Sequence, residues 1–317
     1  MSASGGSRAV VAALSANLGI AVIKFVAFLL TGATSMLAEA VHSVADSGNQ
    51  GLLLLGGKRS RRHATPQHPF GFGRDRYVYG FLVALVLFSV GGLFALYEGV
   101  QKIRHPHHLD SVLIAVVVLG VAIGLEGWSF RTAIGEARQL KGTANWVQFI
   151  RRAKVPELPV VLLEDFAALI GLSLALLGVG LAALLDQPVW DGIGTVAIGV
   201  LLISVAAVLI VETKSLLLGE AAAPAVVDRI EQALLGPGVR RVIHQRTLHL
   251  GPDEVLLAAK IAIEPTSSAA DVARVIDAAE ARVRAAEPTA TVIYLEPDID
   301  RGAAPSAPGD TAGEVGR

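Results

Sequence analysis

The stretch that decides how this chain is read is Ser35–Leu55, and within it Leu37-Ala38-Glu39-Ala40-Val41-His42-Ser43-Val44-Ala45-Asp46, with Asn49 three residues further on. The run is long enough to cross a bilayer, which takes about 20 mainly apolar residues. Yet it carries Glu39, His42, Asp46 and Asn49, spaced three, four and three apart, so a helix puts all four on one face. An ionisable group inside a membrane helix costs roughly 2.5–3.5 kcal/mol on insertion scales and marks function by default. His42 and Asp46, one turn apart, can aim a ring nitrogen and a carboxylate at one ion, and nitrogen with oxygen suits zinc and neighbouring divalent metals. For Glu39 and Asn49, bonding to a neighbouring helix explains the pattern equally well.

Five further apolar runs flank this one: Val10–Leu30, Tyr77–Val100, Val112–Arg131, Pro159–Leu185 and Val189–Val211. The whole chain of 317 residues is 53% hydrophobic and 17% charged, more apolar and less charged than a soluble domain. The fold expected is therefore an α-helical polytopic membrane protein with six transmembrane helices. The high Gly and Ala content of the runs suits helices that pack closely in lipid. With no cysteine, disulfides, thiolate zinc fingers, iron–sulfur clusters and cysteine nucleophiles are excluded. A formal net charge of −1 excludes a generally basic nucleic-acid binder.

Short-loop cations set the orientation. Lys58, Arg59, Arg61, Arg62, Arg74 and Arg76 follow the second run, and Arg138, Lys141, Arg151, Arg152 and Lys154 follow the fourth. The loop after the third run has Lys102 and Arg104, and those after the first and fifth have none. The even-numbered loops and both termini are thus expected in the cytoplasm. Met1–Ser7 has no cationic leader segment, so the first run is read as a retained helix. The expected placement is multi-pass in a bacterial cell (inner) membrane.

Beyond Lys214 the pattern turns soluble and acidic. Pro224–Leu235 reads as an amphipathic helix, and Val239–Leu250 and Val255–Ile263 as strands around the turn Gly251-Pro252-Asp253. Ser268–Ala286 reads as a helix with Asp271 near its start, and Thr291–Leu295 as a last strand. An α-β-β-α-β order implies a small α+β layer structure. The domains expected are 8–214 for the membrane part, 215–300 for the cytoplasmic part, and a disordered Ala/Pro/Gly/Asp-rich tail over 301–317.

Other polar residues fall in the apolar runs. Glu164-Asp165 stands early in the fifth, and adjacent helical residues point about 100° apart, so one can face the second helix while the other faces elsewhere. A carboxylate here would add a ligand from a second helix, as a metal site at a helix interface needs. Asn17 and Lys24 share a face of the first helix; Lys24 either pairs with an interior carboxylate or snorkels to the surface. Glu98 and Glu126 read as interfacial groups near helix ends, and His105-Pro106-His107-His108 as a solvated loop. No HExxH or GxSxG occurs, and Gly51–Lys58 fails the phosphate-loop spacing because Gly57 follows Gly56 where Lys is needed. The chain is expected not to be an enzyme, and any transport to be driven by an ion gradient.

Together these residues resemble the cation diffusion facilitator family: six helices, His42-Ser43-Val44-Ala45-Asp46 in the second, a carboxylate in the fifth, and a small cytoplasmic α+β domain. Leu37-Ala38-Glu39-Ala40-Val41-His42-Ser43 and His68-Pro69-Phe70-Gly71-Phe72-Gly73-Arg74 are similar to that family's patterns, and the resemblance runs from about Val10 to Pro297. It implies secondary efflux of divalent metal cations, zinc first and manganese, iron or cobalt second, by proton antiport. It also implies a homodimer joined through the cytoplasmic domain, with the metal and protons as substrates, the bilayer as surroundings and no resident cofactor. By resemblance the metal positions are His42, Asp46 and Asp165, with Glu164 or water as the fourth. Two departures stand out. Val161 occupies the place where zinc exporters commonly have His, and Glu164-Asp165 resembles a branch with mitochondrial zinc-exporter-like members. The strands Leu256–Ala262 and Val292–Glu296 contain no His, so a regulatory metal cluster is not expected there, although His244 and His249 could bind one ion. His68 could serve a site in the second cytoplasmic loop, but its companion position is Phe72. A non-transporting membrane scaffold or metal sensor is the reading from another class.

Overall fold

A computed structural model of the chain describes residues 6–31, 34–106 and 112–301, and within them the side chains of 31, 34–39, 41, 42 and 152 are not described. Residues 302–317 of the tail expected to be disordered, and His107 and His108 of the His105–His108 loop, fall outside these residues. The chain divides into two compact units, with the break between Leu218 and Gly219.

The first unit is helical. It runs through α1 (Ser7–Thr31), α2 (Thr34–Arg59), α3 (Asp75–Val86), a π-helical stretch (Leu87–Leu93), α4 (Phe94–Arg104), α5 (Val112–Lys141), α6 (Trp146–Arg152), α7 (Glu157–Leu185) and α8 (Val189–Leu218). Asp75–Arg104 forms one span despite its π-helical middle. Among the described residues five helices are long and apolar enough to cross a membrane. Helix α2 has the length, at 26 residues, but its apolar character is diluted by the polar face that drew attention to it. The protein is thus a multi-pass membrane protein with five apolar spans shown of the six expected.

Helix α1 packs against α2, α5 and α7, while α8 packs against α3, α4 and α7. The start of α1 is fixed by a carboxylate from another helix: Glu136 of α5 accepts from the Gly6 amide at 2.7 Å and the Ala9 amide at 2.8 Å. The first amides of a helix have no partner within it and carry the positive end of its dipole, so an anion is the natural cap. Arg76 at the head of α3 forms a buried ion pair with Glu157 at the head of α7. Near the opposite ends of α4 and α8, Lys102 bridges Glu98 at 3.3 Å and Asp191 at 3.1 Å, and Glu98 is half-buried there.

The second unit has α9 (Pro224–Leu234), β1 (Arg241–Gly251), β2 (Glu254–Ile263), α10 (Ala269–Ala286) and β3 (Ala290–Ile299). The sheet order is β1-β2-β3, with β1 antiparallel and β3 parallel to β2. The parallel step needs a crossover, which α10 provides. Ser268 and Asp271 form a reciprocal capping box at its start. Ile230 and Leu234 of α9, Leu257 and Ile261 of β2, and Ala279 and Val283 of α10 share one core. The last strand is longer than Thr291–Leu295. It continues through Pro297, which a central strand would not accept but an edge strand does.

Candidate metal centre

Four helices of the first unit converge on a buried polar region. From α7, Glu164 and Asp165 are both buried, the latter only 1% exposed. Their rotation about the helix axis separates their partners. Glu164 turns to α2, where its two oxygens accept from Asn49 Nδ2 at 3.1 Å and Gln50 Nε2 at 3.0 Å. Asp165 turns to α5 and accepts from Ser129 Oγ at 2.6 Å. Gln50 in turn accepts from Asn17 Nδ2 of α1, a long bond of 3.5 Å. Each amide meets its neighbour donor to acceptor, which fixes the orientation of both amide groups.

Lys24 of α1 is buried and donates to Ser43 Oγ at 3.2 Å. It does not snorkel; it also lies within electrostatic reach of Glu126. Glu126 itself is a correction. It is not an interfacial group near a helix end but sits near the middle of α5, 4% exposed, because the helix continues to Lys141 where the apolar run ends at Arg131. Asp165 and Asp46 are also within its electrostatic reach, and Glu164 feels Asp46, Asp165 and Glu126 together. Asp46 is half-buried on α2. Among the described residues two acceptors in this region have no hydrogen-bond donor: Glu126 Oε2 and Asn49 Oδ1.

The positions named from sequence are thus brought together in part. Asp46, Glu164 and Asp165 share one electrostatic neighbourhood. The backbone of His42 lies in α2, four residues before Asp46, and its side chain and that of Glu39 lie outside the described residues. Among the described residues no three His, Asp or Glu side chains stand close enough to hold one ion. Val161 is fully buried on the same face of α7 as Asp165, one turn earlier. Gln50, Ser129 and the central role of Glu126 escaped the sequence reading. A signal existed for two of them: Glu126 and Ser129 are three apart and share a helix face. For Gln50 the only hint was an amide at the edge of an apolar run.

Among the described residues the remaining histidines do not build a second site. The His68 ring packs on Phe72 with centroids 4.6 Å apart, and Arg62 lies 4.5 Å over the same ring, so the companion position serves aromatic packing. His244 and His249 cannot share an ion within one chain. β1 is regular between them, and an odd spacing puts their side chains on opposite faces. His249 is buried with Nδ1 at 3.2 Å from the Gly251 carbonyl.

Buried carboxylates on α5 and α7, with the half-buried Asp46 on α2 and the buried Lys24 on α1, give a membrane helix bundle with an ionisable interior. The family model of the cation efflux transmembrane domain matches residues 10–218. The chain belongs to the cation efflux family. It is 33% identical over 261 residues to the mitochondrial proton-coupled zinc antiporter SLC30A9 of Homo sapiens, covering 81% of this chain and 46% of that protein. It is 34% identical over 218 residues to metal tolerance protein C4 of Arabidopsis thaliana, covering 68% and 47%. It is 25% identical over 283 residues to magnetosome protein MamM of Magnetospirillum gryphiswaldense, covering 85% and 81%. The chain spans about half the length of the first two of these relatives.

Proposed function

We propose that this protein exports divalent metal cations across a membrane by exchange for protons, with zinc as the first cargo. The observation that carries the reading is the gathering of Asp46, Glu164 and Asp165, from α2 and α7, in one buried electrostatic neighbourhood. The family and the proton-coupled zinc antiporter among the relatives support it. His42, Asp46 and Asp165 bind the ion, and Glu164 assists. Hydrated metal enters from the cytoplasm and exchanges water for these groups. They must be deprotonated to ligate, so binding releases protons. After the site opens outward, protons return to the same groups and displace the metal. The coupling holds provided that the empty, unprotonated carrier does not reorient.

The same reading places six spans in a bacterial cell membrane with both termini in the cytoplasm, and a homodimer joined through the second unit. Val161 favours a second cargo range. Without a second imidazole the donors are mostly oxygen, which lowers discrimination against manganese, iron and cobalt. Zinc uptake into sealed proteoliposomes under an imposed pH gradient tests the proposal. Asp165→Asn should reduce uptake to background while the purified protein keeps its size-exclusion profile. Near-normal flux in that variant would exclude Asp165 as a ligand. A wild type that binds a partner protein or metal without moving metal would point instead to a scaffold or sensor.

A further inference from the structure

Glu126 enters neither the sequence motif nor the exporter reading above, yet it is among the most deeply buried charged groups of the first unit. Its Oε2 finds no donor. A buried acceptor left without a partner is costly, more so when it is charged, so such a group in a native fold calls for a missing partner. What surrounds it narrows the partner's chemistry. It shares a face of α5 with Ser129, whose hydroxyl donates to Asp165 at 2.6 Å, and Asp46, Glu164 and, among the described residues, the cation Lys24 lie within its electrostatic reach. The second orphan in the region, Asn49 Oδ1, is also an acceptor, on a residue 2% exposed. Its orientation is fixed because its Nδ2 must face the Glu164 carboxylate. Both orphans are acceptors set among several carboxylates, surroundings that favour a positively charged guest. The carboxylates differ in availability. Each oxygen of Glu164 already accepts an amide, and Asp165 Oδ2 already accepts the Ser129 hydroxyl. Glu126 Oε2 is uncommitted.

We infer that Glu126 of α5 is a direct oxygen ligand for the transported divalent cation, with Asn49 Oδ1 as a neutral donor to the same ion and Glu164 as a carboxylate held by amides. This rests on the metal-transport reading and adds a third helix to its site. The ion then links α2, α5 and α7, so its arrival or loss bears on how α5 packs against α7. An added oxygen ligand is in keeping with Val161 at the place of a second imidazole.

The test uses the full chain, purified, with zinc alone or cadmium alone as probe. Glu126→Gln keeps the size of the side chain and removes its charge. Zinc affinity by calorimetry should fall about tenfold or more, the scale on which even indirect partners of a metal site act, with the thermal midpoint of the metal-free protein unchanged or raised. Because the chain has no cysteine, Glu126→Cys introduces a unique thiol. Cadmium should then give a thiolate-to-metal charge-transfer band of one equivalent per chain, and zinc should protect the thiol from maleimide. The band decides the matter even if the Gln variant does not fold. Wild-type zinc affinity in Glu126→Gln, or a Glu126→Cys protein with no cadmium band, overturns the inference. If Asp165→Asn loses zinc while Glu126→Gln keeps it, the exporter reading stands and the inference alone fails. A wild type without zinc affinity overturns both.

Discussion

Between α4 and α8 the helices meet on glycine. A Cβ placed on Gly99 would stand 2.6 Å from the Val196 amide nitrogen, and one on Gly199 would stand 2.8 Å from that of Leu96. Gly92, in the π-helical stretch before α4, and Gly192 of α8 meet Ile203 and Ile103 closely, so the Asp75–Arg104 span and α8 each offer two glycines seven residues apart. Between α2 and α7 the contact is made instead by Asn49 and Gln50 donating to Glu164. The first contact is mainly van der Waals packing of backbone on backbone, with the Lys102–Asp191 ion pair at one end, which is how lipid-embedded helices hold together without a hydrophobic drive. The second is a set of directional bonds to a charge that water would otherwise solvate. One half of the bundle is built to stay put. In the other half, stability depends on which polar partner each carboxylate has, so a cation can alter it.

The largest effect that would sharpen this contrast is steric. Gly99→Leu forces a branched side chain against the backbone of α8. Overpacking of this kind costs about 1–3 kcal/mol and sometimes more, and the variant should lose yield and thermal midpoint in detergent whether or not metal is added. A variant of wild-type stability would break the picture of a rigid α4–α8 seam.

On the polar side, Glu164→Ala leaves two buried amide donors without an acceptor. The expected loss is about 1–3 kcal/mol, with transport impaired as a consequence. Glu164→Gln keeps an acceptor and should lose less, in stability and in flux, than Asp165→Asn loses in flux. Equal severity of Glu164→Gln and Asp165→Asn in the proteoliposome assay would make Glu164 a primary ligand and reverse their roles.

A smaller effect is expected at Val161, the apolar neighbour one turn before Asp165. Val161→His supplies an imidazole on the face of Asp165 and should raise zinc-over-manganese preference in competitive uptake. Unchanged selectivity would mean that this position does not border the ion.

The smallest effect lies in the second unit, where polar contacts only end an element. The Ser268 hydroxyl and backbone amide hold the Asp271 carboxyl below its ordinary value, with Arg274 adding to the effect. A depressed folded-state value contributes stability above the unfolded value, and that part is lost as pH falls through the folded one. Ser268→Ala should cost about 1 kcal/mol as a lost helix cap. It should also flatten the acid limb of the thermal midpoint of the second unit as pH falls through the acidic carboxylate range. An identical acid limb in both proteins would remove the capping box as its cause.

Much of this architecture is written in local pattern. Spans, turns and the order of elements in the second unit follow from apolar runs of fixed length, from the Gly251-Pro252-Asp253 turn and from Ser268-x-x-Asp271, because each depends on neighbours a few residues away. His42-x-x-x-Asp46 and Glu164-Asp165 were legible for the same reason, since a charge in an apolar run is conspicuous on its own. Pairing was not legible. That Glu164 faces the amides of α2 while Asp165 faces Ser129 is set by the rotation of α7 about its axis, which its packing against α5 and α8 decides. Pro297 inside β3 is tolerated only because the sheet leaves that strand at an edge. Glu126 shows the limit most clearly. By sequence it ends an apolar run and belongs at the membrane surface, yet the helix continues past that end and packs Glu126 inward. Burial is a property of the neighbours that surround a residue, and these come from helices distant in the chain.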